Sequence, residues 1–157
     1  MKVYIISPDT GNRVSIDEWR KEKDPTRANV IAIDTDDEHT LLMRKSYLPG
    51  EYTFKEAQDA CARFIEPELD ATGIVFRCPT RKECIDLYDA RFQGLDEAVK
   101  LIGGDFATTG RRHWTCERDS DPRYPAGYAW FSYGAYGCAY NSGLYGSYSA
   151  LPVALLK

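Results

Sequence analysis

An uncharged segment near the end of the chain is the feature that most restricts its fold. From Tyr128 to Leu156 no side chain carries a charge, and Tyr, Gly, Ser and Ala dominate. The stretch closes with the apolar run 151–156, and Trp130 and Phe131 stand near its start. Apolar flanks of this kind favour a folded strand at each end over a low-complexity tail. We therefore expect several short strands and loops here, attached to a core that the rest of the chain supplies.

Two helices are predicted in the middle of the chain. Thr53 and Glu56 have the spacing of a capping box, and so do Thr80 and Glu83. Apolar side chains recur on one face of the first helix at Phe54, Ala57, Cys61 and Phe64. A third, shorter helix is expected over 95–102, with Gly103-Gly104 at its end.

The first fifty residues favour strands. The patterns predict strands at 2–7, 29–34 and 40–47, with the acidic run 34–38 as a hairpin tip and a short helix over 16–21. Helices and short strands together indicate an α+β fold. A length of 157 residues is that of one domain, so we expect a single domain over 1–157.

Charge and hydropathy exclude two classes of partner. The net charge is -4 and the basic residues are interleaved with acids, so no basic stripe favours nucleic acid. No apolar run reaches membrane-spanning length, and we expect no membrane insertion. The N-terminal apolar patch is too short for a signal peptide. We expect the cytoplasm as the location, or export by another route, for example as part of a phage virion.

Cysteines, histidines and acids give no pattern of a metal, cofactor or catalytic site. The five cysteines are odd in number and include no Cys-x-x-Cys pair, which favours buried free thiols, with a Cys78–Cys84 pair left open. The acidic run 34–38 lacks the closing Glu of a calcium loop. His113 and Cys116 stand three apart on a predicted strand, where their side chains point to opposite faces. We therefore predict no catalytic residue, no metal and no cofactor, and a protein that is not an enzyme.

The uncharged segment has the composition of a binding surface. Six of the eleven tyrosines lie in it, at Tyr128, Tyr133, Tyr136, Tyr140, Tyr145 and Tyr148. Tyr combines a large contact area with little rotamer entropy, and Ser, Gly and Asn add adaptable hydrogen bonds, as in antibody paratopes. The alternative is an ordinary pair of strands with one face in the core. The irregular tyrosine spacing and the interspersed glycines favour loops and bends.

Several motifs resemble, in the right order, a bacterial and phage family of C-type-lectin-like domains. The chain from Thr53 to Ala57 resembles the start of the family's first helix, and 76–83 resembles its Arg-Leu-Pro-Thr approach to the second. The segment 113–117 resembles its Trp-Ser-Ser-Thr-Glu strand. Its Ala-Trp strand and its Arg-Pro-Val terminal strand have counterparts at 128–131 and 151–153. These motifs span about two thirds of the chain.

The resemblance implies a fold and a function. The fold would have two main helices, small and mostly antiparallel sheets, and paired N- and C-terminal strands. Within the family the chain resembles the variable proteins of diversity-generating retroelements, found in gut bacteria and their phages. Such a protein binds a protein or glycan ligand on a cell surface through diversified C-terminal positions, which here would lie within 128–151.

Carried onto this chain, the resemblance implies individual site residues. Gly134, Gly137 and Cys138 would belong to the fixed scaffold. In the family, adenine-directed mutagenesis diversifies selected codons near the C-terminus, typically Asn codons. Changes of this kind cannot produce Met, Trp, Gln, Lys or Glu, and none of these residues occurs from Phe131 to Leu151. The implied solvent-facing ligand-binding positions are Phe131, Tyr133, Ala135, Tyr136, Tyr140, Asn141, Ser142, Gly143, Tyr145, Gly146 and Tyr148.

The chain also departs from the family, and alternatives stay open. Leu151 stands where the family has Arg, so the ion pair of that Arg is absent or replaced. The calcium-dependent sugar motifs of animal lectins are missing, which predicts no calcium-dependent sugar site. One alternative is a Cys-dependent enzyme of the same broad fold, with Cys116 and Cys138 as its thiols. Another is a structural subunit of a phage tail or surface fibre, and an exposed aromatic patch would also suit a homo-oligomer.

Overall fold

The computed structural model describes residues 1–70, 72–106, 111–123, 127–133 and 136–156. The strands are β1 (Lys2–Ile6), β2 (Arg13–Ser15), β3 (Val30–Asp34), β4 (Thr40–Arg44), β5 (Arg112–Asp119), β6 (Tyr128–Tyr133), β7 (Ala139–Gly143) and β8 (Val153–Leu156). The α-helices are α1 (Ile16–Trp19), α2 (Phe54–Arg63), α3 (Pro67–Asp70), α4 (Arg81–Ala90) and α5 (Asp96–Leu101). The predicted α+β class is confirmed, and none of the helices within the described ranges is long and apolar enough to cross a membrane.

A five-stranded antiparallel sheet, in the order β2-β1-β3-β4-β8, holds most of the core. Successive side chains of a strand point to opposite faces. Ile31 and Ile33 of β3 therefore pack in one apolar cluster, which also contains residues of α4 and α5. Val30 and Ala32 of the same strand pack in a second cluster on the other face. Both faces are covered, which explains why β3 and β4 are almost continuously apolar.

The predicted pairing of the first and last strands is wrong. Strand β8 pairs with β4, while β1 lies between β2 and β3. A tight turn returns the chain after β1, closed by a 2.8 Å hydrogen bond from the Gly11 N–H to the Ser7 carbonyl. Strand β2 thereby takes one edge of β1, and β3 takes the other. The last strand, β8, therefore pairs with β4 at the free edge of the predicted β3–β4 hairpin.

Local capping motifs fix the two ten-residue helices as predicted. In α2 the Thr53 N–H donates to Glu56 Oε1 at 2.9 Å, and the Glu56 N–H donates to Thr53 Oγ1 at 3.4 Å. The reciprocal bonds of α4 join Thr80 and Glu83 at 2.8 and 3.1 Å. Both capping boxes satisfy backbone donors that a helix start otherwise leaves unpaired.

The end of α5 is also as predicted. Gly103 has a φ of 74°, and the Gly104 N–H donates to the Val99 carbonyl at 2.8 Å. This is the Schellman arrangement, in which a left-handed residue favours glycine. The helix itself is shorter than the predicted range 95–102, and α1 ends at Trp19 rather than residue 21.

An ion pair lies at the start of α4. Arg77 forms a bidentate pair with Glu83 of α4, at 2.6 and 2.9 Å. Leu151, where the sequence predicts an ion pair to be absent or replaced, is fully buried in the apolar core. Burial acts to raise the pKa of Glu83, but the hydrogen bonds from Arg77 and Thr80 outweigh it and the pKa is lowered. Because the Arg77 backbone also bonds Val153, this pair ties α4 to the last strand.

A three-stranded antiparallel sheet, β5-β6-β7, stands beside the first and carries most of the tyrosine-rich segment. Trp114 of β5 is fully buried, and its indole N–H donates to the Tyr52 carbonyl at 2.8 Å. Single bridges join His113 to Ser149 and Tyr52 to Tyr148. These contacts fix the segment that connects β7 to β8 against β5 and α2.

Candidate functional site

Strands β6 and β7 place a group of tyrosines on one face of the three-stranded sheet. Phe131 pairs with Tyr140, and Tyr133 follows Phe131 by two residues on the same face. The Tyr133 ring lies 5.9 Å from the Tyr140 ring and 6.1 Å from the Tyr136 ring, both edge to face. Tyr136 is 67% exposed and Tyr140 is 52% exposed. We call Tyr133, Tyr136 and Tyr140 the aromatic patch.

Phe131 forms the buried base of the aromatic patch. It is only 7% exposed, and its ring stacks on Tyr148 with 4.4 Å between the centroids. Trp114 pairs with Phe131 across β5 and β6, and the Tyr148 ring meets Trp114 at 4.9 Å. The prediction that Phe131 faces solvent is therefore wrong, because Tyr148 covers one side of its ring.

The phenol of Tyr140 is uncharged at neutral pH. The neighbouring Cys138 raises the pKa of Tyr140, which further favours the uncharged form. A neutral phenol both donates and accepts hydrogen bonds. The exposed end of this side chain can therefore pair with either kind of polar group on a ligand.

The polar residues of β7 do not all share the face of the aromatic patch. Asn141 follows Tyr140 directly and so lies on the opposite face, where its Nδ2 donates to Asp119 Oδ2 at 2.9 Å. Ser142 returns to the tyrosine face and accepts a hydrogen bond of 3.1 Å from the Tyr148 hydroxyl. The predicted site residues of β7 are therefore divided between the two faces of that strand.

The remaining predicted positions differ in the space available for a side chain. A Cβ at Gly143 would meet no atom within 4 Å, whereas one at Gly146 would lie 2.7 Å from Ser142 Oγ. Tyr145 is 90% exposed and borders a separate apolar cleft of about 350 Å³ between α2 and the β7–β8 segment. Ala135, and Gly134 of the predicted scaffold, lie outside the described residues.

Gly137 shows the environment expected of a fixed scaffold position. Its φ is 70°, and a Cβ there would lie 2.6 Å from Tyr88 Cβ on α4. The Gly137 N–H donates to the Tyr133 carbonyl at 2.8 Å, which closes the β6–β7 turn. A larger residue at 137 would be strained in its backbone and crowded against the helix. Cys138, the other predicted scaffold residue in the described ranges, is exposed.

A polar cleft of about 480 Å³ adjoins the aromatic patch. Its lining consists of Gly50, Glu51, Arg111, Arg112, Ser147, Tyr148 and Ser149. The Arg112 guanidinium lies 4.9 Å from the Tyr133 ring centroid, at the border between cleft and patch. Sequence reasoning missed both arginines. The Arg111-Arg112 pair is visible in the sequence, but only the register that pairs Arg112 with Tyr133 brings it to the patch.

The cysteines and His113 occupy different environments. Cys61, Cys78 and Cys84 are buried thiols, as predicted, while Cys116 is half-buried. Cys78 Sγ lies 3.5 Å from Cys61 Sγ, so its thiol neighbour is Cys61 rather than the Cys84 suggested by sequence. Burial raises the pKa of Cys116 and lowers the pKa of His113 to about 4. Neutral thiol and neutral imidazole are thus the favoured forms of these two side chains at neutral pH.

Comparison with known proteins provides no evidence about the site. No protein-family model matches the chain, and no curated protein has a significantly similar sequence. Across the described ranges, no group of three or more His, Cys, Asp and Glu side chains is arranged to hold a metal ion. In the described residues, the candidate site is the aromatic patch with its neighbouring polar cleft.

Proposed function

We propose that this protein is a ligand-binding protein of C-type-lectin-like fold. Its tyrosine-rich segment, residues 128–151, would recognise a protein or glycan on a cell surface. The protein would act either on a phage particle or on the bacterial side of such an encounter. Its binding positions would tolerate diversification, as in the variable proteins of diversity-generating retroelements that the sequence resembles.

The observation that carries the proposal is the aromatic patch. The Tyr133 ring contacts the rings of both Tyr136 and Tyr140, and the latter two are more than half exposed. Exposed aromatic rings that are already ordered lose little entropy when a ligand covers them. A cluster of this kind is typical of the centre of a binding surface.

The rings that pack beneath the aromatic patch also support a role in ligand recognition. Phe131, Tyr148 and Trp114 are in successive ring contact from the patch to the buried core, the first pair stacked and the second edge to face. The patch residues therefore stand on packed aromatic side chains, and Tyr136 and Tyr140 keep more than half of their surface exposed. Rigid elements that carry variable surface side chains are a common design of binding proteins.

The α+β architecture is compatible with the resemblance in fold. Two capped helices and two small antiparallel sheets agree with what the family implies, whereas the last strand pairs with β4 and not with the first strand. Gly137 has the crowded, left-handed geometry of a position that the family keeps constant, and Gly143 has the open geometry of one that varies. These features are consistent with a fixed scaffold and a tolerant surface.

A binding role is also favoured over a Cys-dependent enzyme. The nucleophile in such an enzyme is a thiolate, which requires a lowered pKa. Burial instead raises the pKa of Cys116, one of the two candidate thiols. The burial of His113 keeps its imidazole from serving as a cationic partner.

A glycan-array and cell-surface binding screen tests the proposal. The wild-type protein is compared with the double variant Tyr136→Ser, Tyr140→Ser, which removes the two most exposed rings of the patch. Phe131 and Tyr148 are left intact because they support the fold. We expect the double variant to lose at least about tenfold in affinity for ligands found with the wild type, since exposed aromatic anchors contribute about 1.5 kcal/mol or more.

Phe92→Ala is the matched control. Phe92 is also a strongly exposed aromatic side chain, but it follows α4 and lies outside the tyrosine-rich segment. Its loss should leave ligand binding unchanged. Equal binding by the wild type and the folded double variant would refute the proposed surface, with circular dichroism used to establish that the variant is folded.

A further inference from the structure

We infer that the polar cleft beside the aromatic patch binds the carboxylate of an acidic sugar. The cleft residues that carry the inference are Glu51, Arg111, Arg112, Ser147, Tyr148 and Ser149. Its volume of about 480 Å³ is within the range of small-ligand sites, roughly 300–1,000 Å³. The inference rests on the proposed function and names the ligand class that the same surface would take.

The two arginines are held in place by rings. The Arg111 guanidinium lies 5.5 Å from the Tyr47 ring centroid, and that of Arg112 lies 4.9 and 5.9 Å from Tyr133 and Phe131. A guanidinium over a ring face is attracted to the ring without using its N–H donors. The side chains are thus oriented, while the hydrogen-bonding edges stay available.

No described residue uses those donors. Neither guanidinium forms an ion pair or a hydrogen bond with any side chain or carbonyl in the described ranges, whereas Arg13, Arg77 and Arg81 are all paired with carboxylates. Guanidinium groups match carboxylates in a planar, two-bond geometry. Two such groups on one cleft therefore form a site for a carboxylate that the ligand supplies.

The other cleft residues favour a sugar over an acidic peptide. The hydroxyls of Ser147 and Ser149 can pair with ligand hydroxyls. Glu51 lines the same cleft, and its carboxylate accepts hydrogen bonds from hydroxyl groups but repels further anionic groups. A ligand with one carboxylate and several hydroxyls fits this set better than a run of aspartates and glutamates.

The position of the cleft relates the sugar to the aromatic patch. Tyr148 lines the cleft and stacks on Phe131, while Arg112 lies over the Tyr133 ring. An acidic sugar in the cleft would present the rest of a glycan chain to Tyr133 and its neighbours. The cleft would then anchor one residue of the glycan, and the patch would cover the next.

Titration with small glycosides, followed by ¹⁵N–¹H NMR, tests the inference on the whole chain. The probes are methyl β-glucuronide and methyl α-sialoside, with methyl β-glucoside as the neutral match of the first. We expect at least one acidic glycoside to bind about tenfold or more tightly than the glucoside, as a hydrogen-bonded carboxylate should. Arg111→Gln and Arg112→Gln should each remove most of that advantage.

Arg20→Gln provides the control, because it removes the same charge from an exposed site at the end of α1. It should leave the affinity for the acidic glycosides unchanged. Equal affinity for the acidic and neutral glycosides, or no binding of either acidic probe, would overturn the inference. Tighter binding of a tetra-aspartate peptide would also overturn it and point to an acidic protein partner.

These failures are distinguishable from failure of the proposed function. If the acidic probes do not bind but Tyr136→Ser, Tyr140→Ser still abolishes binding in the cell-surface screen, only the carboxylate site is wrong. If the arginine variants act and the tyrosine variants do not, the patch is wrong and the cleft alone binds the sugar.

Discussion

The two sheets of this protein use their side chains in opposite ways. In the first sheet, β3 and β4 bury every residue but the last, and apolar clusters cover both faces. In the second sheet, the edge strand β7 has no fully buried residue, and half of the residues of its neighbour β6 are only half-buried. One sheet is a core element, and the other is partly a surface.

This difference separates positions that determine stability from positions that are free to determine recognition. Removing a buried apolar side chain costs both its transfer free energy and the energy of the cavity left behind. Removing an exposed side chain costs little. We therefore expect the exposed positions of β7 to tolerate substitution better than the buried positions of β3 and β4.

The largest contrast is expected from truncations at comparable strand positions. Leu42→Ala in β4 removes a fully buried side chain and should lower the free energy of unfolding by about 2–5 kcal/mol. Tyr140→Ala in β7 should lower it by less than about 1 kcal/mol, because that ring is half exposed. Urea denaturation followed by circular dichroism measures both. Similar losses in the two variants would show that β7 belongs to the core after all.

A sharper contrast lies within the tyrosine-rich segment itself. Gly137→Ala places a Cβ against Tyr88 at a φ of 70° and should cost about 1–3 kcal/mol of stability. Gly143→Ala meets open space and should change stability by no more than about 0.5 kcal/mol. Thermal unfolding of the two variants, with the wild type as reference, makes the comparison. A destabilised Gly143→Ala would contradict the assignment of that position to a tolerant surface.

What the sequence predicted correctly was mostly local. The capping boxes at Thr53 and Thr80 need only residues three apart, and the turn at Gly103 needs only the preceding helix. Strands β3 and β4 were also predicted correctly, because their continuous apolar runs follow directly from burial on both faces.

The features that the sequence did not predict depend on contacts between residues far apart in the chain. The neighbour of the last strand depends on which sheet edges the earlier strands leave free, and no local pattern records this. The burial of Phe131 likewise depends on Tyr148, seventeen residues further along and brought over it by the bridge to Tyr52. Arg112 reaches the aromatic patch only through its register with Tyr133. The composition of the segment predicted a surface, but only strand pairing decides which of its side chains share a face.

The smallest effect on stability is expected at Tyr145. It is 90% exposed, and no ring contact connects it to the aromatic patch within the described residues. Tyr145→Ser should change the free energy of unfolding by less than about 0.5 kcal/mol in urea denaturation. Its effect on binding then decides how far the recognition surface extends. A loss of affinity matching that of Tyr140→Ser would extend the surface from the patch to the cleft beside α2, whereas unchanged affinity would confine recognition to the patch and the polar cleft.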